Sequence, residues 1–204
     1  MRLFHHGGLI LALALLTTGC AITPKQPPSD TAQQQWQAHL QTLATLNNWE
    51  LSGRIAVKTG QESLSGTLHW KQQADFYDIR IIGPLGRGSV SLLGDQQQSV
   101  LTTHEGKSFS AGNAQALLHQ HLGLDVPLDY LRYWLLGKPA PDLVTEDLQL
   151  DETGRLGTLR QAGWEISYRG YTDAPGLSMP ARIFINNHLV SVRLVVDQWT
   201  IPAS

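Results

Sequence analysis

The feature that most constrains the fold is a two-residue alternation of apolar and polar side chains that recurs along most of the chain. Trp49, Leu51, Gly53, Ile55 and Val57 fall on one side of an extended backbone, and Glu50, Ser52, Arg54 and Lys58 on the other. Successive side chains of a strand point to opposite faces, so this spacing predicts a half-buried antiparallel strand. Leu64, Gly66, Leu68 and Trp70 repeat the pattern against Ser63, Ser65, Thr67, His69 and Lys71. Tyr77, Ile79 and Ile81 continue it, and Val90 and Leu92 follow the turn from Gly83 to Gly88. Short strands are expected around 99–103 and 107–109. Towards the C-terminus Trp164, Ile166 and Tyr168 alternate with Glu165, Ser167 and Arg169; Ile183 and Ile185 mark another strand, and Val190, Val192, Leu194 and Val196 the last. The reading gives roughly nine to eleven strands, each with a single apolar face.

Three stretches break this alternation. Between Asp30 and Leu46, Trp36, Leu40, Leu43 and Leu46 recur at three- and four-residue steps, the stripe of an amphipathic helix, with Asp30 or Thr31 placed to cap it. A second helix is expected from Ala111 to Leu122, and a third from Pro127 to Leu136, opened by the proline and closed by Gly137. Leu128, Leu131, Trp134 and Leu135 give the third a strong apolar face. A sheet of so many strands twists and curls, and only three short helices are present to cover its apolar side. The expected class is therefore mainly β (α+β), a single curled antiparallel sheet with a helical lid. Barrels of this size can enclose a cavity that their own side chains leave unfilled. The alternation permits an apolar cavity without requiring one.

The N-terminus belongs to no part of that sheet. Arg2, an apolar run from Leu9 to Leu16 and the small residues Thr17-Thr18-Gly19 precede Cys20, the only cysteine. A positive start, a short apolar core and small residues before a cut describe an export signal, and the run falls well short of the ~20 residues of a membrane span. Residues 1–19 are expected to be a cleaved signal. A lone thiol would be out of place in an oxidising compartment unless it is modified. Residues 20–31 carry Pro24, Pro27 and Pro28 among small and polar neighbours, a tether that reaches about 3.1 Å per residue, or roughly 30 Å over ten residues. Residues 32–204 are expected to form a single domain, for which 204 residues less the leader suffice. Cleavage would remove one of 15 basic residues and none of 17 acidic ones, so the mature chain stays mildly acidic and carries no nucleic-acid footprint.

Catalytic patterns are missing. The sequence has no Gly-x-Ser-x-Gly elbow, no phosphate loop, no zinc-protease helix and no free cysteine nucleophile if Cys20 is acylated. His119 and His121 share a helix but stand two residues apart, so they point in different directions and are not a metal pair. His104-Glu105 reads as an exposed turn, and Asp142, Glu146, Asp147, Asp151 and Glu152 as solvated loop or strand-edge acids. No acid–base pair stands out, so no enzyme, cofactor or metal is expected. In Ile81-Ile82-Gly83-Pro84-Leu85-Gly86-Arg87-Gly88, Pro84 suits the second position of a turn and Gly86 the fourth, which leaves Leu85 near the tip. Such a side chain either folds back as a plug or projects into solvent.

Thr17 to Cys20 resembles the bacterial lipoprotein box, whose cysteine receives a diacylglyceryl group, becomes the N-terminus and is then acylated. With Pro84-Leu85-Gly86, the run Leu131 to Pro139, Gly170-Tyr171, Met179-Pro180-Ala181 and a last strand ending Val196-Asp197-Gln198-Trp199, most of the mature chain resembles the LolB family of outer-membrane lipoprotein receptors. The resemblance implies an incomplete antiparallel barrel closed by helices over an apolar cavity. It implies reception of acylated lipoproteins from a soluble periplasmic LolA-like carrier and their insertion into the inner leaflet of the outer membrane. The family's insertion residue falls on Leu85, within a membrane insertion loop of Pro84, Leu85 and Gly86. Ala21 after Cys20, where aspartate would signal inner-membrane retention, fits passage to the outer membrane, facing the periplasm, as a lipid-anchored monomer. At about 0.8 kcal/mol per buried CH₂, a long acyl chain in water costs on the order of ten kcal/mol, so free diffusion of the cargo is excluded. The acyl-chain cavity is expected to be lined by Trp49, Leu51, Ile55, Leu68, Trp70, Ile79 and Ile166. Two other readings are open: a lipocalin-like binder of another apolar small molecule, and a structural lipoprotein whose barrel is filled by its own side chains.

Overall fold

The computed structural model describes residues 28–60, 63–84 and 88–202. Ser29 caps the first helix, α1 (Asp30–Ala44), by accepting the Ala32 N–H at 3.1 Å, one residue before the cap expected from the sequence. The helix buries Ala32, Trp36 and Leu43. Six strands follow as a meander: β1 (Asn48–Lys58), β2 (Ser63–Gln73), β3 (Phe76–Ile82), β4 (Val90–Gly94), β5 (Ser99–Thr103) and β6 (Ser108–Ala111). Then come α2 (Ala114–Leu122) and α3 (Leu128–Leu135). Asn113 caps α2 by accepting the Ala116 N–H at 2.8 Å, so Ala111, expected in the helix, ends β6 instead.

The chain continues through β7 (Thr145–Leu150), β8 (Leu156–Gln161), β9 (Trp164–Tyr168), the small ribbon β10 (Tyr171–Ala174) with β11 (Leu177–Pro180), then β12 (Arg182–Asn186) and β13 (Ser191–Thr200). Eleven strands form one antiparallel sheet in the order β6-β5-β4-β3-β2-β1-β13-β12-β9-β8-β7. The sheet is two meanders joined at the β1–β13 seam. Its edges, β6 and β7, do not pair, so the barrel is open. β7 and β8 went unread in the sequence because their ladder carries register shifts at Thr145/Asp147 and Gln149/Leu150, which break the two-residue period.

Topology places the lid. β6 and β7 stand at opposite edges, so the connection between them must cross the sheet, and it carries α2 and α3 over the concave face. Curling needs close backbone approach. A side chain at Gly53 would meet the Val195 carbonyl oxygen at 2.3 Å, where β1 slips register on β13, and one at Gly66 would meet the Ile82 carbonyl oxygen at 2.3 Å.

The inward alternation fills the concave side unevenly. Under the β7–β9 and β12–β13 half, Trp134, Leu156, Leu159, Ile166 and Ile183 form a close-packed core with exposures of 1% or less. Trp49 packs against Trp70 and Trp199, with ring centroids 5.7 and 5.6 Å away, and closes one end of the β1–β4 half.

Candidate functional site

Beyond that tryptophan cluster lies a cavity of about 90 Å³ whose sixteen lining residues are all apolar. The sheet supplies Ile55 and Val57 from β1, Leu64, Leu68 and Trp70 from β2, Ile79 and Ile81 from β3, Val90 and Leu92 from β4, and Val192 from β13. The lid supplies Leu118 and Leu122 from α2, Leu124 and Val126 from the connecting turn, and Leu128 and Leu131 from α3. The one polar side-chain atom among these residues, the Trp70 indole N–H, is already donated to Gln72 Oε1 at 3.0 Å, and a void lined by apolar side chains excludes water and takes up apolar matter.

Of the residues expected to line it, Ile55, Leu68, Trp70 and Ile79 are on its wall. Trp49, Leu51 and Ile166 are not. Trp49 stands behind Trp70 at the closed end, Leu51 pairs with Trp70 and Trp199 on neighbouring strands, and Ile166 is sealed in the packed half. The lid residues Leu118 to Leu131 were not singled out as lining from the sequence. Their helical spacing shows that they face the sheet, and only the structure shows that they stop short of filling it. Pro84 is exposed; Leu85, Gly86 and Cys20 lie outside the described residues.

The lid is tied firmly at one end. Trp134 donates its indole N–H to Gln161 Oε1 at 2.9 Å, and Tyr168 OH donates to the Trp134 carbonyl at 2.8 Å. Gln161 is fully buried and also accepts the Ala140 N–H and donates to the Ala140 carbonyl, so its amide is satisfied on both sides. Burial pushes the Tyr168 phenol well above its ordinary range, which keeps it a neutral donor. Lys138 donates to the Leu43 carbonyl at 2.7 Å and joins the lid to the end of α1; burial, then nearby Arg132, lowers its pKa. Arg132 bridges from α3 to Asp75 in the β2–β3 turn at 3.0 Å. The α2 end of the lid meets the cavity through apolar side chains alone.

A groove of about 890 Å³ outside the lid is larger but polar, lined by Asp95, Asn113, Gln115, Asp125, Asp129 and Asp142 among others. It offers no dry surface for an acyl chain. Among the described residues no group of three potential metal ligands occurs, and no helix is long and apolar enough to cross a membrane.

The architecture is an open antiparallel sheet, close-packed in one half and bordering a small apolar cavity in the other, with a helical crossover over that cavity. The model of the family described as outer membrane lipoprotein LolB matches residues 47–199. The outer-membrane lipoprotein LolB of Nitrosococcus oceani is 38% identical over 191 residues, covering 94% of this chain and 95% of the relative. That of Stutzerimonas stutzeri is 39% identical over 191 residues, covering 92% and 91%. The fold is similar to that of a LolA superfamily protein from Nitrosomonas europaea, with a TM-score of 0.52 at 12% identity over 86% of this chain and 96% of that one. The chain belongs to the LolB family, lipid-anchored lipoproteins of the Gram-negative outer membrane that serve lipoprotein localisation.

Proposed function

We propose that this protein receives acylated lipoproteins from a soluble periplasmic carrier, shelters their acyl chains in the apolar cavity, and delivers them to the inner leaflet of the outer membrane. The observation that carries this reading is the cavity wall, lined by apolar side chains and roofed by a lid whose hydrogen bonds to the sheet, among the described residues, lie on the α3 side. At about 90 Å³ the space is smaller than the ~150 Å³ void that accepts one benzene, so in this reading loading lifts the α2 side of the lid. Separating apolar surfaces to admit an apolar chain restores the contact it breaks, which keeps that motion inexpensive. A relay without an energy source runs downhill, so the cavity must hold acyl chains better than the carrier and less well than the bilayer.

In this reading Cys20 carries the lipid, residues 1–19 are removed and residues 20–31 are the tether. Leu85, with Pro84 and Gly86, enters the bilayer during delivery, and the protein works as a monomer. The test is transfer of a purified acylated lipoprotein from a LolA-type carrier to the protein in liposomes. Cargo should leave the carrier and become liposome-bound only when the protein is present. Cargo remaining on the carrier, alongside uptake of an apolar dye, would instead support the small-molecule binder.

A further inference from the structure

The mouth of the cavity has two unlike sides. Ile55, Leu64, Ile81, Val90, Leu118 and Leu122 line the cavity yet are only half-buried, and so form its rim. On one side, Leu64 and Leu122 also line a groove of about 490 Å³ between the β1–β2 hairpin and the C-terminal end of α2. Val57 and Leu124 are shared by groove and cavity in the same way. The rest of the groove wall is polar, with Ser63, His119, Gln120 and His121. On the other side, Ile81 and Val90 stand at the strand ends that lead into the β3–β4 loop, and that wall is apolar.

We propose that the groove is the site for the polar head of the cargo, the acylated cysteine with its glyceryl esters, its amide and the first peptide bonds after it. The proposal rests on the acyl-chain reading above. An ester or amide carried into the cavity would lose its bonds to water and find no partner on a wall without polar side chains. The head must therefore stop at the mouth, on the side where hydrogen bonds are available. Ser63 and Gln120 offer donors to ester and amide carbonyls. A helix C-terminus presents its last carbonyls as acceptors for amide N–H groups; α2 ends here, and although the Gly123 and Leu124 N–H groups cap the His119 and Leu118 carbonyls at 3.1 Å, the last turn from Gln120 to Leu122 faces the groove. The helix end is held on both sides of Gln120. His121 stacks on Phe109 with centroids 3.7 Å apart, and His119 Nδ1 pairs with Asp125 Oδ1 at 2.7 Å. Peptide then stays on the α2 side of the mouth while the chains leave past Ile81 and Val90.

The test uses the full mature chain in phospholipid vesicles, with p-benzoylphenylalanine placed at exposed Gln120, at half-buried Val90 on the opposite rim, or at Gln34 on α1 as a background position. The probe is a tripalmitoylated cysteinyl hexapeptide tagged at its C-terminus. Labelling at Gln120 and Val90 should exceed that at Gln34 by about tenfold, the ratio produced by a 1.4 kcal/mol preference. Labelling at Val90 with only background at Gln120 overturns the head site and leaves the cavity reading standing. Background labelling at both removes the cavity reading and the head site with it. Labelling at Gln120 without Val90 also overturns the proposal, because the groove would then bind peptide independently of the chains. Gln120→Trp, which fills the groove from an exposed position, should cut probe labelling at Val90 several-fold and leave labelling by hexadecane unchanged; equal loss of both would make the helix end merely structural.

Discussion

In the half of the sheet built from β13, β12, β9, β8 and β7, the concave face meets Trp134, Leu156, Leu159 and Ile183, and the buried side chains of Gln161 and Tyr168 are tied there to fixed partners. In the half built from β1 to β4, the same inward alternation faces the lid across a void, and the buried side-chain hydrogen bonds found there among the described residues are Tyr77 to Ser99 at 2.6 Å and Trp70 to Gln72 at 3.0 Å. Directional bonds fix one arrangement, whereas apolar contacts tolerate sliding and separation. α3 belongs to both regions, with Trp134 in the packed half and Leu128 and Leu131 over the void. The contrast sets a half fixed by directional bonds beside a half held against its lid by apolar contact.

The largest effect is expected from Trp134→Ala. It removes a fully buried indole and one of the two hydrogen bonds that Gln161 Oε1 accepts, so about 3–5 kcal/mol should be lost in a denaturant titration. A loss under 1 kcal/mol would mean that the packed half is not what holds the fold. A matched pair sharpens the comparison. Ile183→Phe inserts volume where there is no room and should cost about 1–3 kcal/mol. Leu92→Phe grows into the void and should cost less than about 1 kcal/mol while sharply reducing uptake of an apolar dye. Similar costs for both would show the two halves to be equally packed.

Acid should act on the packed side. Burial, then the charge of Arg155, lowers the pKa of His39 on α1 below its ordinary 6.5. The unfolded chain therefore takes up this proton more readily, so stability is full above about pH 6.5 and declines as the pH falls below it. Melting curves at pH 7.5 and 5.5 should show a drop that His39→Gln reduces, and an unchanged drop would clear His39. The smallest effect on stability is expected from Leu85→Glu, within about 0.5 kcal/mol if the side chain projects from the loop. Uptake from the carrier should persist while release into liposomes slows, because a charge disfavours entry into hydrocarbon. Loss of stability together with uptake would assign Leu85 to the mouth as a plug.

Much of this was legible in the sequence. The alternation from Trp49 to Ile81 marks the first three strands and their inward face, and Leu128 to Leu135 marks the lid helix with the right side down. The β7–β8 ladder was not legible, because bulges shift the inward face and Gln161, a polar residue, occupies a fully buried position there. Nor does alternation tell lining from filling. Ile166 and Ile79 carry the same inward signature, yet one is sealed in core and the other borders empty space, a difference set by which helix side chains arrive opposite them.

The unpaired edges β6 and β7 give the sheet a property that a closed barrel lacks. In a closed barrel, strand number and stagger fix the diameter, so a larger occupant would have to break a ladder. A sheet with two free margins changes its radius by flexing, with every rung intact. The girth of such a sheet is set by what packs on its concave face and not by strand number.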